Sequence, residues 1–208
     1  MTGQRRLRIT LLTLGSRGDV EPYVGLGVAL TRAGHQVTVA ASAAFEGTIR
    51  GSGLDAFLVE PDPRLLAVGG EPPRWLGSSA AAGAIRLGLA SRAGSGLGAA
   101  YSGYLEASRR AHVILYPAWL APAARTIAQT CSCLALPAYL APLHPTRAFP
   151  SPFFNIPSHT EWNRLSHFVA LWLGRAALNG APNNWRSQVV GLAPTAIELL
   201  PPDGEVCL

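Results

Sequence analysis

At 208 residues, 49% hydrophobic and only 14% charged, the chain can bury one sizeable core and is not a disordered polymer. Its net charge is +5 and all 17 basic residues are arginine. They are scattered and not interleaved with aromatics, which argues against nucleic acid and leaves genome composition, an anionic substrate or an anionic membrane surface as reasons for them. Arg5, Arg6 and Arg8 precede an apolar run too short for a secretory leader, and no apolar stretch approaches the ~20 residues of a membrane span. Cys131, Cys133 and Cys207, an odd set with C-x-C spacing and no His nearby, suit neither a disulfide framework nor a zinc site. A cytoplasmic chain without a metal is expected.

The elements follow in an alternating order. Ile9 to Leu14 reads as a strand, Gly15-Ser16-Arg17-Gly18-Asp19 as a turn of small and polar residues, and Val20, Val24, Gly27 and Leu30 as one face of a helix that stops at Gly34. Gln36 to Ala40 is a second strand, Ala43 to Gly51 a short helix, and Ala56 to Val59 a third strand ended by Pro61 and Pro63. From Arg64 to Gly103, glycine and alanine dominate, and Trp75 either lines a cleft or caps the core. Val113 to Tyr116 is a fourth strand, Ala121 to Gln129 a helix, and Cys133 to Leu136 a fifth strand. This β-α-β order predicts an α/β fold, a single Rossmann-like doubly wound domain on a parallel sheet with right-handed crossovers. Ligands then belong at the carboxyl ends of the strands, where the loops beginning at Gly15, Pro117 and Pro137 converge.

The rest is a proline-stiffened loop and two helices. Leu140 to Phe154 carries four prolines and three phenylalanines around His144, Thr146 and Arg147, a composition suited to an apolar small-molecule site or to a surface loop covering the core. Trp162 to Asn179 reads as an amphipathic helix, its stripe of Trp162, Leu165, Val169, Trp172 and Leu173 expected to face the core. Asn184 to Val190 is a second short helix ending at Gly191. His159 and His167 are eight apart and are not metal neighbours on one helix.

The first turn has two readings from its residues alone. A nicotinamide-binding domain calls for G-x-G-x-x-G and an acid closing the second strand, whereas here the spacing is G-x-x-G and the strand runs into Ala41-Ser42. An intact NAD-binding protein is therefore the weaker alternative. Gly-Ser-Arg-Gly-Asp-Val-Glu-Pro, followed by Ala33-Gly34-His35 and a Val-Thr-Val strand, resembles the N-terminal half of GT-B glycosyltransferases, in the branch of sterol and antibiotic-aglycone glucosyltransferases. Pro145-Thr146-Arg147-Ala148-Phe149-Pro150, Trp162-Asn163-Arg164-Leu165-Ser166-His167 and Asn184-Trp185-Arg186 with Gly191-Leu192 match the later runs of that branch.

The resemblance implies residues 1–194 as an acceptor-type domain and 195–208 as a short tail, without the second half that carries most donor contacts. It implies transfer of a hexose from a UDP- or dTDP-sugar co-substrate, with no other cofactor, to a hydrophobic hydroxyl acceptor such as a sterol, lipid or polyketide aglycone. Asp19 is implied as the base, Ser16, Arg17 and Gly18 as donor-phosphate contacts, and His144, Thr146, Arg147, Phe149 and Phe153 as acceptor contacts. From position alone, capping the helix is the commoner job for an Asp at residue 19, and a carboxylate occupied by backbone N–H groups is a poorer base; the base role comes from the resemblance. Expected partners are the acceptor, a donor-domain chain or a second copy, and a peripheral membrane contact, but not nucleic acid. The alternative of another class is a non-catalytic binding module that keeps the aglycone pocket.

Overall fold

A computed structural model of the chain describes residues 6–60, 97–158, 160–178, 180–196 and 198–200. The expectations for Trp75, for the glycine-rich segment before residue 97, for His159 and for Cys207 lie outside these residues.

Strands β1 (Arg8–Leu12), β2 (Gln36–Ala41), β3 (Asp55–Leu58), β4 (Val113–Tyr116) and β5 (Leu134–Pro137) form one sheet in the order β3-β2-β1-β4-β5. Every pairing is parallel, with Ile9 opposite Val37 on one side and Val113 on the other. The expected doubly wound α/β fold is the one observed. The central strands are buried along nearly their whole length, as parallel strands covered on both faces must be, while β3 and β5 at the edges are only partly covered.

Alternation along β1 divides the core in two. Leu11 packs with Val37, Val39, Phe45 and Ile49 under helices α1 (Arg17–Arg32) and α2 (Glu46–Gly51). Leu12, its neighbour, points to the other face and packs with Ile114, Tyr101, Tyr104 and Ile127 under α3 (Leu97–Ser108) and α4 (Ala121–Cys131). Gly27 lets α1 lie close on the sheet: a Cβ there would sit 2.8 Å from Leu54 Cδ1 and 3.2 Å from Leu11 Cδ1.

The C-terminal part adds α5 (Thr160–Leu178) and α6 (Gly180–Gln188). Trp185 of α6 is buried beside Tyr101, ring centroids 5.6 Å apart, and its Nε1–H donates to Ser102 Oγ at 3.0 Å. Residues 198–200, at the start of the expected tail, pack on the domain: Leu199 is buried, Tyr139 donates its hydroxyl proton to the Leu199 carbonyl, and Arg125 binds Glu198 and the Leu200 carbonyl.

The amphipathic reading of α5 holds, but the buried face is the other one. Asn163, Ser166, His167, Gly174 and Leu178 face inward, whereas Trp162, Leu165, Val169, Trp172 and Leu173 are exposed. The physical reason lies in the proline loop, whose Arg147 and Phe149 carbonyls take their donors from Asn163 and His167 on the polar edge of α5.

Candidate functional site

The turn after β1 is fixed before any ligand arrives. Thr13 donates its side-chain hydroxyl to the Ala40 carbonyl at 2.9 Å, and Tyr104, from the opposite face, donates to the Thr13 carbonyl at 2.6 Å. Gly15 follows with φ +127°, a conformation that an L side chain rarely adopts. Ser16 is the extended N-cap of α1, and Asp19 sits at the third helical position as the acidic partner of a capping box. Its Oδ2 accepts from the Ser16 amide at 2.7 Å and from the Ser16 hydroxyl at 2.9 Å. Asp19 is thus not the N-cap itself. It supports the N-cap with one oxygen, and Oδ1 accepts no hydrogen bond from the described residues.

Asp19 is half-buried, while Ser16, Arg17 and Gly18 are exposed at the open end of α1. The N–H groups of Arg17 and Gly18 have no carbonyl one turn behind them, so this helix start presents donors toward the carboxyl ends of the strands. The Arg17 guanidinium reaches Glu21 at 2.5 Å in an exposed i,i+4 pair. Such a pair is worth only about 0.3–0.5 kcal/mol, so Arg17 can exchange Glu21 for a phosphate at little cost.

Tyr23 connects this turn to the loop leaving β5. Its buried hydroxyl donates to the Ala138 carbonyl at 2.5 Å. Its pKa is held far above the usual phenol range, first by burial and then by the neighbouring Tyr139, Asp19 and Tyr116. Asp19 and the β5 loop therefore lie on one side of the molecule, at the carboxyl ends of the strands. Sequence reasoning passed over Tyr23, Thr13 and Tyr104, since tyrosines in a core pattern carry no signal of what their hydroxyls bind.

The proline loop is held by α5 through three polar side chains on one edge of the helix. Asn163 donates to the Arg147 carbonyl at 2.9 Å and to Ser158 Oγ at 3.1 Å. Ser166 Oγ accepts from the Ser151 amide at 2.7 Å and donates to the Asn163 carbonyl. His167 Nε2 lies 3.2 Å from the Phe149 carbonyl, which can only accept, so Nε2 carries the proton. The spacing i, i+3, i+4 places all three on the same edge, and the Asn-x-x-Ser-His run and the Pro-Thr-Arg-Ala-Phe-Pro run are thereby one structural unit.

Among the expected acceptor residues, Phe153 is anchored, its ring 5.1 Å from Trp119 in an edge-on contact. Thr146 Oγ1 accepts from the Ala148 amide at 3.2 Å. His144, Arg147 and Phe149 are exposed on the loop. No hydrogen bond or ion pair among the described residues joins any of them to Asp19. Asn163→Ala is expected to strand the Arg147 carbonyl and destabilise the chain by about 1–3 kcal/mol. Thermal unfolding measures this, and an unchanged midpoint would show that the loop holds itself.

Two other features lie away from this turn. A cavity of about 660 Å³, lined by Arg8, Thr10, Gln36, Thr38, Arg109 and Arg110 among others, opens at the amino ends of the strands, opposite to the end that carries Asp19 and at which such sheets bind their ligands. Cys131 and Cys133 are free, and burial raises both thiols, Cys133 to about 11. Alkylation of Cys133 by iodoacetamide should therefore be slow at pH 8 and accelerate as pH climbs toward 11; fast labelling at pH 8 would contradict this. Among the described residues, no group of three or more His, Cys, Asp or Glu could hold a metal, and no helix is long and apolar enough to cross a membrane.

Residues 9–64 match the glycosyltransferase family 28 N-terminal domain. The sterol 3-beta-glucosyltransferase of Debaryomyces hansenii is 30% identical over 205 residues, covering 89% of this chain and 12% of the yeast protein. The chain has the fold of the N-terminal half of GT-B glycosyltransferases. The glycosyltransferase SnogD from Streptomyces nogalater superposes on this GT-B domain with a TM-score of 0.55 at 18% identity, over 92% of this chain and 44% of SnogD. Glycosyltransferase VinC, solved in complex with dTDP, gives 0.54 at 18% identity over 91% and 46% of the two chains. These two show that the fold is shared. The GT-B domain spans 12–15% of the length of the curated sterol glucosyltransferases that it matches along most of its own length.

Proposed function

We propose that this chain is the acceptor-binding half of a glycosyltransferase. Joined to a donor domain, it transfers a hexose from a UDP- or dTDP-sugar to the hydroxyl of a hydrophobic acceptor such as a sterol, a lipid or a polyketide aglycone. The observation that carries the reading is the carboxylate of Asp19 at the carboxyl ends of the strands, held by Ser16 through Oδ2, with Oδ1 accepting no hydrogen bond from the described residues. The names of the relatives support a sterol-like acceptor, and the dTDP bound by VinC supports a nucleotide-sugar donor.

In this reading Asp19 Oδ1 takes the proton of the acceptor hydroxyl while that oxygen attacks the anomeric carbon. The bond from that carbon to the diphosphate breaks, and the sugar passes through an oxocarbenium-like state with inversion. The departing diphosphate receives the Arg17 and Gly18 N–H groups and the Arg17 guanidinium, and it gains the Ser16 hydroxyl if that proton turns away from Asp19 Oδ2, leaving the Ser16 amide to hold the carboxylate. His144, Thr146, Arg147, Phe149 and Phe153 present the acceptor from the proline loop.

The test supplies the 208-residue chain with a series of sterols and polycyclic alcohols, alone and fused to a GT-B donor half. Acceptor binding by the chain alone and hexose transfer by the fusion are the expected results. Acceptor binding without transfer by the fusion would make it a non-catalytic module, and tight binding of NAD(H) would overturn the family-based reading of the turn.

A further inference from the structure

Helix α5 turns its polar edge inward and leaves an apolar seam outside. Trp162, Leu165, Val169, Trp172 and Ala176 recur along it at steps of three and four, the a and d positions of two consecutive heptads. All five are exposed, Trp162 at 64% and Trp172 at 67% of full exposure. Two tryptophans so open on one seam are not the scattered single residues that any surface carries. A seam with this period is the shape that a second helix fills.

The charges beside the seam select which helix. Glu161, Phe168 and Arg175 stand seven residues apart, so all three lie along one flank of it. All three are exposed, and neither Glu161 nor Arg175 has an ion-pair partner among the described residues. The two charges are opposite in sign and equally far from Phe168. When two copies of α5 lie antiparallel about a two-fold axis, like flank meets like flank. With that axis at Phe168, Glu161 of each copy stands level with Arg175 of the other. Nearly the same register layers Trp162 on Trp172 of the second copy, and Leu165 on Val169. Parallel pairing would set this flank against the opposite one, where Ser166 is buried and Leu173 is apolar, and neither charge would meet its complement.

We infer that the outer face of α5 is a homodimer interface, in which α5 pairs antiparallel with α5 of a second copy and Glu161 meets Arg175 twice. The contact is isologous, so the assembly closes at two. The apolar seam supplies the affinity, and the exposed ion pairs, individually weak, set the register and disfavour the parallel arrangement. Two heptads make a small interface, so the dimer dissociates on dilution. Docking does not depend on the transferase reading, because it uses the face of α5 opposite to the edge that clamps the proline loop.

The experiment is sedimentation velocity of the 208-residue chain over a dilution series, followed also by tryptophan emission. A monomer–dimer equilibrium is expected, with emission moving to shorter wavelength as the dimer forms. W162S/W172S should weaken the dimer at least about tenfold, from the apolar area it loses. E161R and, separately, R175E should also weaken it at least about tenfold, because each sets like charges opposite one another twice. The exchange E161R/R175E should bring the dissociation constant back to within about threefold of the original, as only an antiparallel copy allows. All four positions are exposed, and an unchanged thermal midpoint at high dilution confirms that the variants are folded. A chain that stays monomeric overturns the inference, whether the face then takes a bilayer, a donor half or nothing. A dimer that W162S/W172S or either single charge variant leaves unchanged overturns it too, and so does an exchange that fails to restore association.

Discussion

Asp19→Asn, in the chain joined to a GT-B donor half, is expected to lower the rate of glycosyl transfer by ~10²–10⁴-fold with the acceptor KM close to that of the unsubstituted enzyme. The amide keeps the shape of the carboxylate, and its carbonyl oxygen can still accept from the Ser16 amide and hydroxyl that now hold Oδ2. The capping box therefore survives, and the thermal midpoint should move little. Asp19→Ala removes the base and the cap together, adding a loss of about 0.5–2 kcal/mol typical of a missing helix cap. The pair separates the two jobs of this residue. Full turnover in Asp19→Asn would leave Asp19 as a capping residue only.

Gly15→Ala carries the second large effect. The backbone at Gly15 has φ +127°, and a Cβ built there would lie 2.3 Å from Asp19 Oδ2 and 2.8 Å from its Cγ. Either the turn changes conformation, at about 1–3 kcal/mol, or the carboxylate moves. A displacement near 1 Å at a reacting group is enough for a loss on the order of 10²-fold in rate. Because this loss runs through Asp19, it should not add to that of Asp19→Asn: the double variant should be little slower than Asp19→Asn alone. Additive losses would show that Gly15 acts through the donor or the acceptor instead.

The alternation of short apolar runs with helical patterns made the fold legible, and β1 through β5 stand where Ile9, Gln36, Ala56, Val113 and Cys133 signalled them to within about two residues. The first turn was legible too, because Gly15, Ser16 and Asp19 each have few reasons to stand together before a helix. What periodicity could not say was which side of α5 is buried. A stripe of tryptophan, leucine and valine at helical spacing ordinarily faces a core, and here it does not. The neighbour of α5 is a loop in which Pro142, Pro145, Pro150 and Pro152 have no N–H to donate, leaving the carbonyls of Arg147 and Phe149 to find donors elsewhere. Asn163 and His167 bury themselves to supply those donors. That need is a property of a segment some twenty residues away, so no window on α5 alone reveals it. The tyrosine staples were hidden for a related reason: Tyr23 and Tyr104 look apolar in a pattern, and only the packed structure shows the carbonyls their hydroxyls reach.

The most direct measurement is a crystal structure of the chain with a polycyclic alcohol bound. The acceptor hydroxyl oxygen is expected at the carboxyl ends of the strands, about 2.6–3.2 Å from Asp19 Oδ1, with the rings of the acceptor against the loop of Phe149 and Phe153. An acceptor bound at the opposite end of the sheet, or one whose hydroxyl is held away from Asp19 by other donors, would contradict a catalytic Asp19.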